Sequence, residues 1–537
     1  MADNPRPASP LAVNEQGLLA NAAIEHHLAG RLSEAIFCYA AAHARAPLAF
    51  GLVLNWSIAL QQSGRTAEAL QVCDVALALN PQSAPTHGHR ADILLGSGDA
   101  ARSLDSYRRA LSIDPAFLPA LRNLADAAIR LGLLSEAEEA LSRAGDLDPT
   151  SAMLLSDLSG VRHQLGMFEA ALTAADRAID LDPGTVPAHY NRGLALESLR
   201  RYDEALACFD RVRTLDPAHV EARWNSALIH LRCGRRDRGW PLYEARKERT
   251  GFDRDHIARR ALRPWRGPGD RSDAGLINAG RLLVLSEQGL GDTLQFCRFV
   301  SLLPGLGIRP TLVVQDPLVT LIGRSLDLPV VSRDRLPDLS GYDYHADLLS
   351  LPGLLEGLAT PPWLDAKPYL VADEARVATW RHRLADLSQP RIGLMWRGRR
   401  NPMLAERSVP AGELFAALPK HATFFTLQQS VTLEEIALAR SAALEVQVTQ
   451  HLDFEDAAAL ITNLDLVVSI DTSIAHLSGA LGQETWLVIP ENCDWRWGIG
   501  NDNSAYSNLR LFQSHSSASW SDVLGQLTEA LNERSGA

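Results

Sequence analysis

VLSEQGLGDTLQFCRF (284–299) joins an apolar run to a helical pattern through a short polar turn that contains two glycines. When a strand ends at such a turn and a helix follows, the free backbone N–H groups of the helix N-terminus can receive a phosphate. The stretch therefore predicts an α/β domain that binds a nucleotide. It leaves open which nucleotide is bound and which chemistry follows.

Two common phosphate-binding fingerprints do not fit this turn. The dinucleotide fingerprint needs a third glycine where Leu294 stands, and a P-loop needs Lys and then Ser or Thr after Gly291. What remains is a carboxylate, Asp292, at the start of a helix. An aspartate there commonly caps the helix, so the turn by itself does not establish catalysis.

Around this turn, apolar β-rich runs alternate with helical patterns. Strands are predicted at 281–287, 311–315, 329–332, 391–396, 422–428, 464–471 and 484–490, and helices at 293–303, 456–464 and 474–482. Nearly continuous apolar strands separated by helices indicate parallel sheets that are covered on both faces. We expect two Rossmann-like lobes, 281–380 and 388–532, with a cleft between them and ligands at the carboxyl ends of the strands.

A second strand, polar turn and helix occupies LDLVVSIDTSIAHLSGALG (464–482). Asp471, Thr472 and Ser473 end the strand, where the two hydroxyls and the free N–H groups of the next helix could receive a diphosphate. His476 lies one turn further on and could face the same ligand. Taken alone, Asp-Thr-Ser is also a good helix cap, and a single histidine is more often structural.

The first half of the chain repeats with a period of 34 residues. Prolines recur at Pro47, Pro81, Pro115, Pro149, Pro183 and Pro217. Glycines keep the same period from Gly30 to Gly234, with Arg200 in place of one, and a small side chain stands five residues after each. Each unit is predicted to be two helices, because glycine breaks the chain between them and proline ends the second. The pattern resembles the tetratricopeptide repeat, with about seven units over 14–250 and a linker at 251–280.

One position of each predicted first helix is polar: Asn55, His89, Asn123, Asp157, Asn191 and Asn225. In tetratricopeptide arrays this position faces the concave groove. The series is similar to the asparagine ladder of the O-linked N-acetylglucosamine transferases, which hydrogen-bonds an extended peptide backbone. The resemblance implies that Asn55, Asn123, Asn191 and Asn225 bind a protein. The alternative is that they are ordinary solvent-facing polar side chains.

Taken jointly, EQGLGDTLQF and SIDTSIAHLSGALG resemble the heptosyltransferase-type glycosyltransferases of family 9, which have the GT-B fold. With the repeats, GWPLYEARKER (239–249), PWRG (264–267) and IPENCDWRW (489–497), the chain is similar to bacterial tetratricopeptide-containing glycosyltransferases, among them flagellin glycosyltransferases. The resemblance implies an inverting, metal-independent enzyme. Such an enzyme moves a sugar from a nucleotide-sugar to Ser or Thr of a protein that the repeats recruit, flagellin being one candidate.

On this resemblance Asp292 is the general base that deprotonates the acceptor hydroxyl. The implied substrate-binding residues are Gln288, Gly289, Gly291, Thr293, Gln295, Trp396, Arg397, Arg399, Arg407, Gln428, Asp471, Thr472, Ser473 and His476. Arg397 or Arg399, with Arg407, would neutralise the leaving group in place of a metal. A solvated loop is the alternative for these arginines. Ser473 replaces the glycine that is usual in the family.

Composition narrows the classes of partner. The net charge of −12 gives no field that would attract nucleic acid or an anionic membrane. We find no apolar run of about 18 residues that would predict a membrane span, and no signal-peptide pattern. Six scattered cysteines without a CxxC motif indicate reduced thiols. We expect a cytoplasmic protein without metal or cofactor; self-association of the repeats stays open.

Two other classes of function remain. One is a repeat scaffold or chaperone whose α/β part has degenerated or merely binds a nucleotide. The other is a different enzyme on a Rossmann-like frame, such as a dehydrogenase, against which the missing third glycine argues. Fold alone does not decide among them, so the enzyme hypothesis rests on the two turns together.

Overall fold

The structure is a computed structural model. It describes residues 10–47, 49–268, 280–356, 367–398, 407–449, 452–498, 505–514 and 519–535. The chain divides into two compact units, Met1–His219 and Val220–Ala537. The described part of the first unit is helical, and the second unit contains both sheets.

The first unit is a series of helix pairs, as the period predicts. Its helices are α1 (Pro10–Leu28), α2 (Leu32–Arg45), α3 (Phe50–Gln62), α4 (Thr66–Leu79), α5 (Ala84–Gly96), α6 (Ala100–Ile113), α7 (Leu118–Arg130), α8 (Leu134–Leu147), α9 (Ala152–Gln164), α10 (Phe168–Leu181), α11 (Val186–Ser198) and α12 (Tyr202–Leu215). The small residues at the predicted packing positions, such as Ala69, Ala137 and Ala171, are fully buried.

The turn inside each pair needs a left-handed backbone. From Gly30 to Gly166 the periodic glycine has φ between +72° and +87°, a region that glycine enters without a steric penalty. Arg200 takes the same turn at φ +58°, although a side chain there costs about 1–2 kcal/mol. The fold therefore keeps the repeat where the sequence departs from it.

A seventh helix pair belongs to the second unit. Its helices are α13 (Val220–Arg232) and α14 (Arg236–Tyr243). Trp240 and Tyr243 of α14 lie in the hydrophobic core that the two sheets also share. The compact α/β unit thus begins at Val220 and includes the last repeat, whereas the sequence placed all seven repeats in one domain that ends at residue 250.

The first lobe is built on a five-stranded parallel sheet. Its elements are α15 (Ile257–Ala261), β1 (Arg263–Pro264), β2 (Arg281–Leu285), α16 (Leu290–Phe296), β3 (Arg309–Val314), α17 (Val319–Leu326), β4 (Val330–Ser332), β5 (Tyr344–Asp347), α18 (Leu351–Leu354) and α19 (Glu374–Arg383). The strand order is β1-β5-β2-β3-β4. Because β1 pairs with β5, part of the predicted linker 251–280 is an edge strand of this sheet.

The second lobe is built on a six-stranded parallel sheet. Its elements are β6 (Arg391–Leu394), α20 (Ala411–Ala416), β7 (Thr423–Thr426), α21 (Leu433–Ser441), β8 (Glu445–Gln447), α22 (Phe454–Ile461), β9 (Leu466–Ser469), α23 (Ser473–Leu481), β10 (Thr485–Ile489), β11 (Leu509–Gln513) and α24 (Ser521–Ser535). The order β11-β10-β9-β6-β7-β8 reverses between β9 and β6. Ligands of doubly wound sheets bind at such a switch point, and Asp471 follows β9 there.

A buried ion pair fixes the last repeat to the first lobe. Arg246, just after α14, donates from Nε and Nη2 to the carboxylate of Glu287, over 3.1 and 2.7 Å. Arg246 also donates to Ser350 Oγ over 2.7 Å. Glu287 follows β2 and precedes the turn that carries Asp292, so the pair positions that turn.

Replacing Arg246 with Met should destabilise the second unit by about 3–5 kcal/mol, because the carboxylate of Glu287 would stay buried without its counter-ion. Arg376→Met removes an exposed pair with Asp453 and should cost less than about 1 kcal/mol. Denaturant unfolding of the three proteins measures both values. The double variant R246M/E287L should recover part of the loss; equal losses in R246M and R376M would contradict the assignment.

Candidate functional site

The carboxylate of Asp292 is held on both oxygens. Oδ2 accepts the backbone N–H of Gly289 over 2.9 Å, so the side chain caps its own helix α16. Oδ1 accepts from Nη2 of Arg496 over 2.5 Å. Arg496 lies after β10 in the second lobe. Asp292 therefore caps its own helix and, at the same time, contacts the other lobe.

Arg496 continues into a chain of alternating charges. Its Nη1 lies 2.9 Å from Asp494 Oδ1, and Arg407 Nη2 lies 3.8 Å from Asp494 Oδ2. Arg407 Nη1 in turn lies 2.9 Å from Asp471 Oδ2. We call Asp292, Arg496, Asp494, Arg407 and Asp471 the ionic cluster. With three carboxylates and two guanidiniums, all charged, its formal charge is −1.

Two members of the ionic cluster are missing from the sequence prediction. Arg496 and Asp494 lie in the quoted motif IPENCDWRW but carry no predicted role. An arginine between two tryptophans, two residues after an aspartate, is a signal for a buried charge pair. Trp495 and Trp497 flank it, and the Arg496 guanidinium lies 4.6 Å from the centroid of the Trp495 ring.

The two buried carboxylates of the second lobe differ in acidity. Burial, followed by the negative charge of Asp494, raises the pKa of Asp471 to about 6, and Arg407 and Arg496 only partly offset this. Burial is also the largest effect on the pKa of Asp494 and acts in the same direction, but the charge of Arg496, its two hydrogen bonds to Asp494 and the charge of Arg407 together hold that pKa below its usual range. Of these two carboxylates, Asp471 is therefore the one that changes protonation closer to neutral pH.

His476 is a neutral, immobilised imidazole. Its ring stacks on Trp497 at a centroid distance of 5.0 Å, and Nδ1 is hydrogen-bonded to Tyr506 Oη over 3.1 Å. Burial, with the positive charge of Arg496 second, lowers the pKa of His476 to about 3. The ring can hydrogen-bond a ligand but adds no positive charge to the site.

The N-termini of α16 and α23 meet at Gly291. A Cβ at this position would lie 2.8 Å from Cδ2 of His476 and 3.6 Å from Cα of Ser473. Thr472 is the N-cap residue of α23, but its side chain makes no capping hydrogen bond. The structure thus brings Gly291, Asp292, Thr472, Ser473 and His476 together, and the first N–H groups of α23 are left without a side-chain cap.

A second set of contacts, absent from the sequence prediction, joins the lobes behind His476. Arg298 donates to the Ala505 carbonyl over 2.7 Å, and its guanidinium lies 4.4 and 4.8 Å from the ring centroids of Tyr369 and Tyr506. Tyr369 Oη donates to the Leu294 carbonyl over 2.8 Å. A single arginine within an apolar helical run was the available signal for this buried role.

Three predicted substrate-binding residues gather elsewhere, around Glu435. Trp396 is buried against Phe415 and donates to Glu435 over 2.9 Å. Arg397 is ion-paired with Glu435 at 3.2 Å. Gln428 accepts from the Arg397 N–H and donates to its carbonyl, over 3.1 and 2.8 Å. The structure therefore uses these side chains to hold the loop after β6. This loop reaches the Asp471 turn, since a Cβ at Gly398 would lie 3.5 Å from Thr472 Cγ2.

The remaining predicted residues of the first lobe are divided between the interior and the turn. Thr293 is buried and donates to Gln315 over 2.9 Å, and Gln295 is also buried. Gln288 is exposed in the turn with φ +59°. Thr293 thus braces the helix against β3 and does not face the cluster. Arg399 lies outside the described residues.

The predicted protein-binding amides are half-buried within the repeats. Asn123 donates to Asp92 over 2.8 Å, and Asn191 donates to the Ser156 carbonyl over 2.9 Å. These bonds join one repeat to the one before it. Asn55 and Asn225 have a similar partial burial.

Among the residues that the structure describes, no set of three or more His, Cys, Asp or Glu side chains is placed to bind a metal ion. Within the same residues, no helix has the length and apolar character that a bilayer crossing requires.

Gly291→Ala should destabilise the protein by about 1–3 kcal/mol, because the new methyl would overlap an imidazole that Trp497 and Tyr506 hold in place. Gly525→Ala, on an exposed position of α24 with no neighbouring atom within 4 Å, should instead stabilise by about 0.5–1 kcal/mol. Chemical denaturation compares the two. A neutral G291A would mean that α16 and α23 are not in contact.

Because of His476, the free energy of unfolding should decrease as the pH is lowered. Above pH 6.5 the imidazole of His476 is neutral in both the folded and the unfolded protein. Below pH 6.5 the imidazole binds a proton in the unfolded chain, but it stays neutral in the folded protein, where its pKa is about 3. The free energy of unfolding should then drop by about 1.4 kcal/mol per pH unit between pH 6 and 4 from this residue. The measurement is the difference in unfolding free energy between wild type and His476→Gln at each pH. A difference independent of pH would contradict the neutral, buried state.

Comparison with known proteins adds family information to this geometry. Residues 94–160 and 186–219 match tetratricopeptide repeat models, and residues 413–485 match glycosyltransferase family 9 (heptosyltransferase). The last match includes β9, the Asp471 turn and α23. It includes neither Asp292 nor Arg496.

One curated relative matches part of the chain. Protein FlbA of Caulobacter vibrioides is 27% identical over an alignment of 336 residues, and the match covers 57% of this chain and 54% of FlbA. This match thus spans about half the length of that relative.

Solved structures with likeness to the chain include two repeat proteins. YrrB, described as a TPR protein with an unusual peptide-binding site, has 22% identity and a TM-score of 0.30, covering 34% of this chain and 94% of YrrB. A tetratricopeptide repeat protein from Parabacteroides merdae has 17% identity and a TM-score of 0.36, covering 45% and 95% of the two chains. From its family matches and its fold, the chain combines tetratricopeptide repeats with a glycosyltransferase family 9 domain.

Proposed function

We propose that this protein is an inverting, metal-independent glycosyltransferase that moves a sugar from a nucleotide-sugar to Ser or Thr of a protein. The observation that carries the proposal is the meeting of two turns. Asp292 of the first lobe contacts the second lobe beside the N-terminus of α23, which has no side-chain cap. A candidate base and a candidate phosphate site thus lie next to each other.

The donor phosphate is assigned to the N-terminus of α23 at the switch point of the six-stranded sheet. Backbone N–H groups and the hydroxyls of Thr472 and Ser473 are its hydrogen-bond donors. Arg407, with a side chain that is 28% exposed, is a cation within reach of solvent in the same cluster. Positive charge from arginine can stabilise the leaving phosphate as a metal would.

Asp292 is assigned the role of general base. It takes the proton of the acceptor hydroxyl while that oxygen attacks the anomeric carbon. The bond from that carbon to the phosphate oxygen breaks, and its electron pair leaves with the nucleotide. Attack on the side opposite to the leaving group inverts the anomeric configuration. The neutral imidazole of His476 hydrogen-bonds the donor and takes no proton at physiological pH.

The repeats are assigned the protein acceptor, since a concave solenoid surface is the usual binding surface of such arrays. The half-buried amides Asn55, Asn123, Asn191 and Asn225 are the proposed backbone contacts. The sequence resemblance makes flagellin one candidate acceptor. YrrB, with its peptide-binding site, is a repeat protein to which the chain bears a likeness.

A second candidate is a non-catalytic repeat scaffold that retains a nucleotide site. It is favoured by one observation: both oxygens of Asp292 already have partners, Gly289 and Arg496. Nucleotide binding together with sugar transfer separates the two candidates.

A thermal-stability panel with UDP, GDP, CMP, ADP and NAD tests the donor site. One nucleoside phosphate at 100 times its dissociation constant should add about 2.7 kcal/mol to the unfolding free energy. Thr472→Val should lose most of this stabilisation because it removes a hydroxyl at the phosphate site. Thr379→Val, on an exposed position of α19, is the matched control and should keep it.

Catalysis is tested by incubating the protein with a candidate acceptor protein and a nucleotide-sugar that contains the stabilising nucleotide. Mass spectrometry of the acceptor then measures sugar transfer. Asp292→Asn should retain the nucleotide-dependent stabilisation and lose transfer. Stabilisation by none of the nucleoside phosphates would refute the donor site and favour the scaffold. Stabilisation by NAD would favour a dehydrogenase.

A further inference from the structure

Arg496 has one fixed partner and one partner that can leave. Asp494 stands two residues away in the same loop, and its Oδ1 accepts both Nη1 and the backbone N–H of Arg496, over 2.9 and 3.0 Å. The ring of Trp495 lies against the same guanidinium. Asp292 comes from the other lobe. The contacts that hold Arg496 within its own loop would therefore remain if a ligand between the lobes took the place of Asp292.

The ionic cluster has no spare positive charge for a phosphate. His476 is neutral, Arg407 is paired with Asp471, and Arg496 is paired with Asp494 and Asp292. The formal charge of −1 repels an anion as the cluster stands. Within the ionic cluster, a phosphate gains either guanidinium by taking the place of a carboxylate.

Asp292 is the carboxylate that is placed to give way. Its side chain is 19% exposed, compared with 9% for Asp471 and 20% for Asp494, so exposure distinguishes it from Asp471 and the lobe it belongs to distinguishes it from Asp494. Asp471 and Asp494 both belong to the second lobe, as do the arginines they bind, whereas Asp292 is carried by α16 of the first lobe.

Arg496 also has an unused donor. Its side chain is only 8% exposed, and its buried Nε has no hydrogen-bond partner among the described residues. A buried N–H without a partner is unfavourable, and an incoming oxygen would satisfy it. A guanidinium presents its donors in a planar fork that matches phosphate oxygens, so Nε and Nη2 together suit a phosphate better than a single carboxylate oxygen.

Building on the proposed function, we propose that Arg496 binds a phosphate of the nucleotide-sugar donor in exchange for Asp292, so that donor binding frees the catalytic base. The exchange replaces one ion pair by another and transfers no proton. Before the donor is bound, Asp292 is held by the guanidinium. Once the donor is bound, the carboxylate is available to the acceptor hydroxyl. The base is therefore available only while the donor is bound.

The exchange predicts opposite effects of two neighbouring substitutions on nucleotide affinity. Isothermal titration is carried out on the full chain with the nucleoside phosphate that stabilises the wild type. Asp292→Asn should tighten binding by about threefold to tenfold because it removes the competitor for Arg496. Arg496→Gln should weaken binding by about tenfold or more because it removes the guanidinium.

The double variant separates exchange from simple repulsion. If Asp292 competes for Arg496, then D292N should change affinity by less than about twofold in the R496Q background. Equal tightening in both backgrounds would show that Asp292 merely repels the anion, and the proposal would be overturned. Unchanged or weaker binding of D292N alone would overturn it as well.

Two controls keep the result interpretable. Arg510→Gln removes an exposed arginine of the same lobe, on β11, and should leave the affinity within about twofold. If R496Q does not fold, Arg496→Lys takes its place in the comparison of single and double variants. Lysine keeps the positive charge but lacks the planar set of donors of the guanidinium. If the wild type itself binds none of the nucleoside phosphates, it is the proposed function that fails. If it binds one and the cycle shows no coupling, only this inference fails.

Discussion

The approach of α16 to α23 at Gly291 is the constraint on which the candidate site depends. No side chain separates the two helices there, because a Cβ would lie 2.8 Å from the ring of His476. The contact fixes the N-terminus of each helix against the other. It places Asp292 within reach of Arg496, which comes from the other lobe. Without a glycine at this position the two polar turns would be held further apart.

Burial shifts the pKa values of the side chains around this contact. The ring of His476 stays neutral because burial, aided by the charge of Arg496, lowers its pKa to about 3. Asp471 is raised to a pKa of about 6 by the same burial and by Asp494. A buried charge is costly unless it is paired, so the alternating order of carboxylates and guanidiniums is what permits five charged side chains to lie together. The same arrangement leaves neither guanidinium of the ionic cluster unpaired.

The last helix pair joins repeat and α/β architecture within one core. Trp240 and Tyr243 of α14 are buried with the residues of both sheets, and Arg246 pairs with Glu287 beside the turn that carries Asp292. A change at the end of the repeat series therefore acts directly on the residues that precede Asp292. This is a physical connection between the repeat helices and the turn, independent of any ligand.

Local patterns in the sequence determined the helix pairs and most of the strands. The 34-residue period gives the left-handed turn at each glycine, and continuous apolar runs give β2, β3, β6, β7, β9 and β10. The polar strand β5 was missed: its Asp347 is buried because Lys247 and Arg259, distant in sequence, pair with it. The sequence also showed the two polar turns: the glycine turn with Asp292, and the turn formed by Asp471, Thr472 and Ser473.

Only the tertiary structure decided which side chains meet. It paired Asp292 with Arg496 across 204 positions, placed Trp396, Arg397 and Gln428 around Glu435, and assigned the last repeat to the α/β unit. Local patterns encode the period of a helix or strand and which face is buried. Contacts between distant residues depend on how the lobes pack and on which charged side chains become buried. No short stretch of sequence carries that information.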